Sequence, residues 1–131
     1  MRTRLNLDVT PRLEAGRQRI QSYGGGGFKI AGQAYRGSVL VLPDQVLPWP
    51  CNDIASLTAL DFDAAKDVSP PIEILLLGCG ARAMLLAPEF GEELRHAGIV
   101  LESMDTGAAC RTFNVLLHED RRVAAALIAV D

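Results

Sequence analysis

The residues whose spacing could support chemistry begin with the glycine-rich stretch Gly78-Cys79-Gly80-Ala81-Arg82-Ala83. Its letters match the dinucleotide-binding pattern G-x-G-x-x-G/A, and Glu102 follows at roughly the spacing of a ribose-binding acid. In that pattern the glycines open directly into a helix, so that the pyrophosphate meets the helix N terminus. Here the next helix is predicted to begin only at Pro88, because proline suits the first helical position. The sequence therefore favours a structural turn over a nucleotide site.

Cys79 lies within this turn and could act as a nucleophile or a redox-sensitive thiol. Either role requires a nearby base or cation that lowers the pKa of the thiol. The chain offers candidates only if the fold brings them to Cys79, and these are Arg82, His96, Arg111 and His118. Without a named partner, an inert and partly buried cysteine is favoured.

A second polar group follows the next predicted strand. Thr106 is predicted to be the N-cap of a helix, and Arg111 and Asn114 are spaced to share one face of that helix. Because parallel strands end at one edge of a sheet, these side chains could join the glycine turn in one crevice suited to an anion. The candidate ligand-binding residues are Gly78, Cys79, Gly80, Arg82, Thr106, Arg111 and Asn114. The alternative is a solvated face with ordinary helix caps.

The remaining titratable residues suggest no metal site or catalytic set. The two histidines lie near the predicted C termini of different helices, and the three cysteines have no paired spacing. No Ser-His-Asp or paired-carboxylate pattern stands out. We therefore predict no metal, no cofactor and reduced thiols, and favour a non-enzymatic protein.

Composition narrows the class of protein further. The chain has 131 residues, of which 49% are hydrophobic and 22% charged, with a net charge of -3. This balance argues against a nucleic-acid-binding surface, and no apolar run is long enough to insert into a membrane. The first residues lack the continuous apolar segment of a signal peptide, so a cytoplasmic location is expected.

The elements that must position these residues alternate between strands and helices in the second half. Apolar runs predict strands at 72–77, 99–104 and 121–130, with helices starting at Pro88 and Thr106 between them. The first two strands should be parallel and joined by a βαβ crossover. Such apolar strands indicate a sheet covered on both faces.

The first half is predicted to be mostly strands. Gly24-Gly25-Gly26-Gly27 should form a hairpin turn, and no helix follows to support a phosphate loop. Trp49 is expected to plug the edge of the core. Residues 1–17 are predicted to form a flexible arm, and residues 18–131 a single α/β domain. Further strands are predicted at 18–23, 28–30, 36–42 and 45–47, and a short helix is predicted somewhere within 56–66.

A longer pattern resembles a known family. It spans Glu102-Ser103-Met104-Asp105-Thr106-x-x-Ala109-x-Arg111-Thr112-Phe113-Asn114-x-Leu116-x-x-Glu119-x-Arg121-x-Val123-Ala124-Ala125-Ala126-Leu127. Matching shorter motifs are Tyr23-Gly24-x-Gly26-Gly27-Phe28, Gly37-Ser38-Val39, Trp49 and Gly78-x-Gly80. Together they resemble a small domain family of unknown function that includes a mitochondrial complex I assembly factor and an adipogenesis-associated cytosolic protein.

The resemblance covers residues 18–130 and implies a fold and a class of function. The implied fold is a three-layer α/β domain with a mixed central sheet and an additional β-hairpin layer. The family implies no established catalysis, and Cys79 stands where many relatives carry threonine or serine, which weakens the nucleophile hypothesis. The first functional hypothesis is therefore a protein-interaction or assembly module linked to respiratory complexes. The alternative is a protein that binds a small anion or nucleotide at the strand ends.

Overall fold

The computed structural model describes residues 18–131, so the predicted arm at 1–17 lies outside the described residues. The strands are β1 (Ile20–Gly24), β2 (Gly27–Ile30), β3 (Gln33–Arg36), β4 (Val39–Val41), β5 (Val46–Pro48), β6 (Ile74–Gly78), β7 (Val100–Met104) and β8 (Val123–Leu127). The helices are α1 (Asp63–Lys66), α2 (Pro88–His96) and α3 (Thr106–His118), with short 3-10 turns at Ile54–Ser56 and Ala59–Phe62.

Five of the strands form a mixed central sheet in the order β5-β4-β8-β6-β7. Strand β6 pairs in parallel with both β7 and β8, so that Leu76 lies opposite Glu102 on one side and Ala125 on the other. Strand β4 pairs antiparallel with β8 and with β5. The predicted mixed sheet with a βαβ crossover through α2 is therefore confirmed.

The other three strands form a small antiparallel sheet in the order β1-β2-β3. Its first turn places Gly25 and Gly26 at φ values of 62° and 81°, which L side chains rarely adopt, and this confirms the predicted glycine hairpin. The Gly26 N–H also donates to the Val130 carbonyl at 2.8 Å, which ties the hairpin to the segment after β8.

Strand β3 was not predicted, and the predicted strand at 36–42 is wrong in extent. Gly37 has a φ of 81°, so the chain leaves the small sheet after Arg36 and enters the central sheet at Val39. The short helix predicted somewhere within 56–66 is present as α1, a single helical turn that follows the 3-10 turns.

Apolar layers cover both faces of the central sheet, which explains why its strands are apolar throughout. On one face, α2 and the segment before β6 pack against β6 and β8; the buried residues there include Trp49, Phe62, Leu75 and Leu94. Trp49 is buried as predicted, and its Nε1 donates to the Asp61 carbonyl at 2.8 Å.

The opposite face is covered by α3 together with the small sheet, whose buried residues include Phe28, Ile30 and Phe113. The molecule is therefore three-layered, as predicted. Within residues 18–131, no helix has both the length and the apolar character needed to cross a membrane.

Candidate functional site

The C-terminal end of β6 meets the first turn of α3 in a close contact, which we call the glycine corner (Gly78, Cys79 and Gly80). A Cβ atom at Gly78 would lie 3.0 Å from the Thr106 Cα and 3.0 Å from Leu127 Cδ2. Gly80 has a φ of 99°, a conformation that favours glycine. The glycines therefore permit close packing of strand against helix.

Thr106 is not the N-cap of α3, which corrects the sequence prediction. Asp105 caps the helix, because its Oδ1 accepts a hydrogen bond from the Ala108 N–H at 2.8 Å. Thr106 is the first helical residue and is fully buried. Its hydroxyl accepts from the Gly80 N–H at 2.9 Å and donates to the Ile128 carbonyl at 2.7 Å. A buried hydroxyl needs such partners, and here they come from two other segments of the chain.

Several of the amides that could hold a phosphate at this corner are already bonded within the protein. The Cys79 N–H donates to the Met104 carbonyl at 2.8 Å, and the Gly80 N–H donates to the Thr106 hydroxyl. The first turn of α3 donates to Gly80 and to Asp105. Phosphate binding at a helix N terminus relies on free N–H groups. In addition, 81–87 contains no helix before Pro88, as the sequence predicted.

A surface concavity of about 310 Å³ opens beside the glycine corner, and we call it the corner concavity. It contains three of the predicted residues, Cys79, Gly80 and Arg82. The other lining residues are Asn52, Asp53, Ile54, Ala81, Met84 and Ile128.

The Cys79 thiol is poorly suited to nucleophilic chemistry in this setting. Its residue is only 8% exposed, and burial raises its pKa above the ordinary value, although backbone hydrogen bonds from Met84 and Met104 partly oppose the shift. A reactive thiol requires a lowered pKa. Burial likewise raises the pKa of Cys51, and that of Cys110 to about 12. The geometry therefore supports an inert Cys79.

Arg111 and Asn114 line a different concavity, of about 350 Å³, between β1 and α3. We call it the β1–α3 concavity. It is lined by Arg19, Ile20, Gln21, Ser22, Tyr23, Cys110, Arg111 and Asn114. Cys79 packs in the core on one face of the central sheet and Cys110 in the core on the other.

The seven predicted ligand residues are therefore divided. Gly78 and Thr106 lie in the contact between the end of β6 and the start of α3. Three of the other residues line the corner concavity, and two line the β1–α3 concavity. The expected meeting of the glycine corner with the start of α3 is present. The structure does not contain the single crevice that was expected to include Arg111, because Arg111 lies where α3 contacts β1. Ligand binding at either concavity stays a prediction.

Asn114 joins α3 to the small sheet through two hydrogen bonds. Its Oδ1 accepts from the Ile20 N–H at 2.9 Å, and its Nδ2 donates to the Ile20 carbonyl at 2.8 Å. One turn earlier, Arg111 Nη1 lies 3.4 Å from Tyr23 Oη. Asn114 therefore has a structural role, which is to hold β1 against α3. Arg111 lines the concavity beside it.

Two residues of this concavity, Arg19 and Tyr23, were missed as site candidates. Both precede α3 by more than eighty positions, so no local spacing linked them to Arg111. The one available signal was Tyr23 in the hairpin motif of the family pattern. Among residues 18–131, neither Arg19 nor Arg111 has a carboxylate within ion-pair distance.

The described part of the chain contains no cluster of three or more His, Cys, Asp or Glu side chains that could hold a metal ion. His96 and His118 are the last residues of α2 and α3.

A family model described as a protein of unknown function (DUF498/DUF598) matches residues 20–128. The chain belongs to this family. Two curated relatives are named NADH dehydrogenase [ubiquinone] 1 alpha subcomplex assembly factor 3. The relative from Danio rerio is 41% identical over 109 residues, which cover 83% of this chain and 63% of that protein. The human relative is 37% identical over 127 residues, covering 97% of this chain and 68% of that protein.

Other similar proteins extend the family into bacteria. An uncharacterized protein of Rhodobacter capsulatus is 39% identical over 115 residues, covering 87% of this chain and 86% of that protein. A crystal structure described as an outer membrane protein from Bartonella henselae has a TM-score of 0.81 at 40% identity, covering 89% of this chain and 98% of that chain. An NMR structure from Rhodopseudomonas palustris has a TM-score of 0.75 at 39% identity, covering 88% and 87%. The predicted family and α/β fold are thus confirmed.

Proposed function

We propose that this protein is a non-enzymatic interaction module that takes part in assembling a larger protein complex. The observation that carries the proposal is its similarity to proteins named as NADH dehydrogenase alpha subcomplex assembly factors. The chain spans 63% of the length of the Danio rerio relative, so that protein's role is transferred here only as a proposal. The proposed partners are subunits of an NADH dehydrogenase.

The segment between β6 and α2 supports this proposal as a candidate docking surface. Met84 is 48% exposed and Leu85 is 99% exposed, whereas Leu86 packs against the core and anchors the segment. Met84 also lines the corner concavity, so an apolar projection adjoins a recess. Exposed apolar side chains of this kind are often used in protein contacts, where methionine is enriched.

The proposal is tested by co-purification from cells that contain an NADH dehydrogenase. A tagged full-length chain should recover subunits of that enzyme, and Leu85→Glu should reduce the recovery. The matched control is Leu60→Glu, because Leu60 is 76% exposed but does not line the corner concavity. Repeated absence of any dehydrogenase subunit would contradict the link to this complex. Equal losses in both variants would contradict the choice of surface.

A cytoplasmic location belongs to the same proposal. Cell fractionation of the tagged full chain tests it directly, since recovery in the membrane fraction of cells that lack the dehydrogenase would contradict it. One solved relative is described as an outer membrane protein, so the fractionation should separate inner and outer membranes.

A second candidate function, binding of a small anion, is favoured by the β1–α3 concavity. Two arginines without a described carboxylate partner line it, together with polar side chains. The nucleotide version of this alternative has less support, because the amides at the glycine corner bond within the protein. Thermal-shift measurements with nucleotides and phosphorylated metabolites test this candidate, and no shift with any of them would contradict it.

A further inference from the structure

The β1–α3 concavity concentrates positive charge on a chain whose net charge is -3. Its lining residues include two arginines, Arg19 and Arg111, and no Asp or Glu. Hydroxyl donors come from Ser22 and Tyr23. The local composition is therefore opposite to the overall charge of the protein, which points to an anionic ligand.

We propose that this concavity binds the phosphate group of a small phosphate monoester, held between Arg19 and Arg111 with the Tyr23 hydroxyl as a third donor. This proposal rests on the second proposed function and gives its ligand class and location. A guanidinium group presents paired N–H donors that match the oxygens of phosphate. A phosphate monoester carries close to two negative charges at neutral pH, which two arginines balance.

The backbone around this site is fixed by hydrogen bonds from Asn114, and neither arginine is in an ion pair with a carboxylate among residues 18–131. The Asn114 side chain forms hydrogen bonds with both the N–H and the carbonyl of Ile20, the residue directly after Arg19. Arg111 lies three residues before Asn114 on the same helix. Asn114 is thus a positioning residue that sets the separation of the two elements carrying the arginines. Such preorganisation lowers the entropic cost of binding.

Tyr23 is placed beside Arg111 by the absence of a side chain at Gly107. A Cβ atom there would lie 2.5 Å from Tyr23 Oη and 3.3 Å from Arg111 Nη1. Because Gly107 leaves this space, the phenol can sit against the first turn of α3 with its oxygen 3.4 Å from Arg111 Nη1. The Arg111 guanidinium and the Tyr23 hydroxyl therefore lie side by side, on two residues that line the concavity.

The size of the concavity limits the ligand. A volume of about 350 Å³ is at the lower end of the range for small-molecule sites, roughly 300–1,000 Å³. It suits a phosphate with a small organic group better than a dinucleotide. The site therefore differs in both place and ligand from the nucleotide site that the glycine pattern first suggested.

The experiment is an NMR titration of the full chain with phenyl phosphate at constant ionic strength, with sodium chloride as the ionic control. We expect saturable shifts of the Arg19 and Arg111 side-chain N–H signals and of the Tyr23 backbone amide. Arg19→Gln and Arg111→Gln should each raise Kd by about tenfold or more, the loss expected for one charge-assisted hydrogen bond. The Kd of Arg111→Lys should lie between those of Arg111→Gln and the unmodified protein, because lysine keeps the charge but not the paired donors.

The matched control is Arg82→Gln, which removes the arginine of the corner concavity and should leave Kd unchanged. Spectra of each variant without ligand show whether it is folded. Non-saturable shifts equal to those with chloride would overturn the proposal. If Arg82→Gln abolished binding while Arg19→Gln and Arg111→Gln did not, the site would be at the corner concavity. That outcome would overturn this proposal but leave small-molecule binding as a function.

Discussion

Thr106 and Gly80 exchange two hydrogen bonds. The Gly80 N–H donates to Thr106 Oγ1 at 2.9 Å, and the Thr106 N–H donates to the Gly80 carbonyl at 2.8 Å. The Thr106 hydroxyl also donates to the Ile128 carbonyl, so one buried side chain joins the ends of β6 and β8 to the start of α3. The glycine corner is consequently a structural joint and not an open phosphate loop.

Replacement of Thr106 by valine tests this joint. Thr106→Val keeps the shape of the side chain but leaves the Gly80 N–H and the Ile128 carbonyl without their partner. We expect the free energy of unfolding to fall by about 1–3 kcal/mol, the cost of leaving buried polar groups unsatisfied. Urea denaturation measures the loss. Thr106→Ser keeps the hydroxyl and should be less destabilising, so an equal loss in the two variants would contradict the assigned role.

Asn114 should be required for the attachment of β1 to α3. Asn114→Ala removes both hydrogen bonds to Ile20, and we expect a loss of about 1–3 kcal/mol together with faster exchange of the Ile20 amide hydrogen. The control is Thr112→Ala, since the hydroxyl of Thr112 makes no hydrogen bond with another residue among 18–131. Unchanged exchange at Ile20 in Asn114→Ala would show that other contacts hold the strand.

Gly107 and Tyr23 should be energetically coupled. Alanine is favoured over glycine in a helix by about 1 kcal/mol, but a Cβ atom at Gly107 would displace the Tyr23 hydroxyl. We therefore expect Gly107→Ala to be more favourable when Tyr23→Ala is also present, by at least about 0.5 kcal/mol. A double-mutant cycle of denaturation free energies measures this difference. Additive effects of the two substitutions would contradict the contact.

The buried Cys110 thiol should make stability fall at high pH. Burial raises its pKa from 9.0 to about 12, so above pH 9 the unfolded chain loses this proton before the folded protein does. The contribution of this buried neutral thiol to the free energy of unfolding is fully present below pH 9 and is lost as pH rises towards 12. The expected slope reaches about 1.4 kcal/mol per pH unit. Denaturation of the unmodified protein and Cys110→Ala at pH 8 and pH 10.5 measures it, and a constant difference between them would exclude this effect.

Much of the second half of the fold was readable from the sequence, because each signal there is local. Pro88 starts α2, Gly98 follows its end with a φ of 82°, and the apolar runs are buried on both faces. Strand β3 was missed because Gln33-Ala34-Tyr35-Arg36 lies at the edge of the small sheet with its side chains largely exposed. Such a strand has no apolar alternation to reveal it.

The candidate site was less predictable, because its arrangement depends on non-local contacts. Asp105 and Thr106 are both common helix caps, and what distinguishes them is that Thr106 bonds to Gly80 and Ile128 across the fold. Helical spacing correctly placed Arg111 and Asn114 on one face of α3. It did not show that this face meets β1, a contact made by residues 94 positions apart.

The central claim, that this protein contacts a partner through the segment between β6 and α2, is tested most directly by site-specific photocrosslinking in living cells. A photoreactive amino acid at position 85 should crosslink to an NADH dehydrogenase subunit, whereas the same group at the exposed control position 60 should not. Crosslinking of that subunit from position 60 but not from position 85 would contradict the proposed docking surface. If neither position captured a dehydrogenase subunit while the protein and the enzyme were both present, the claim itself would be contradicted.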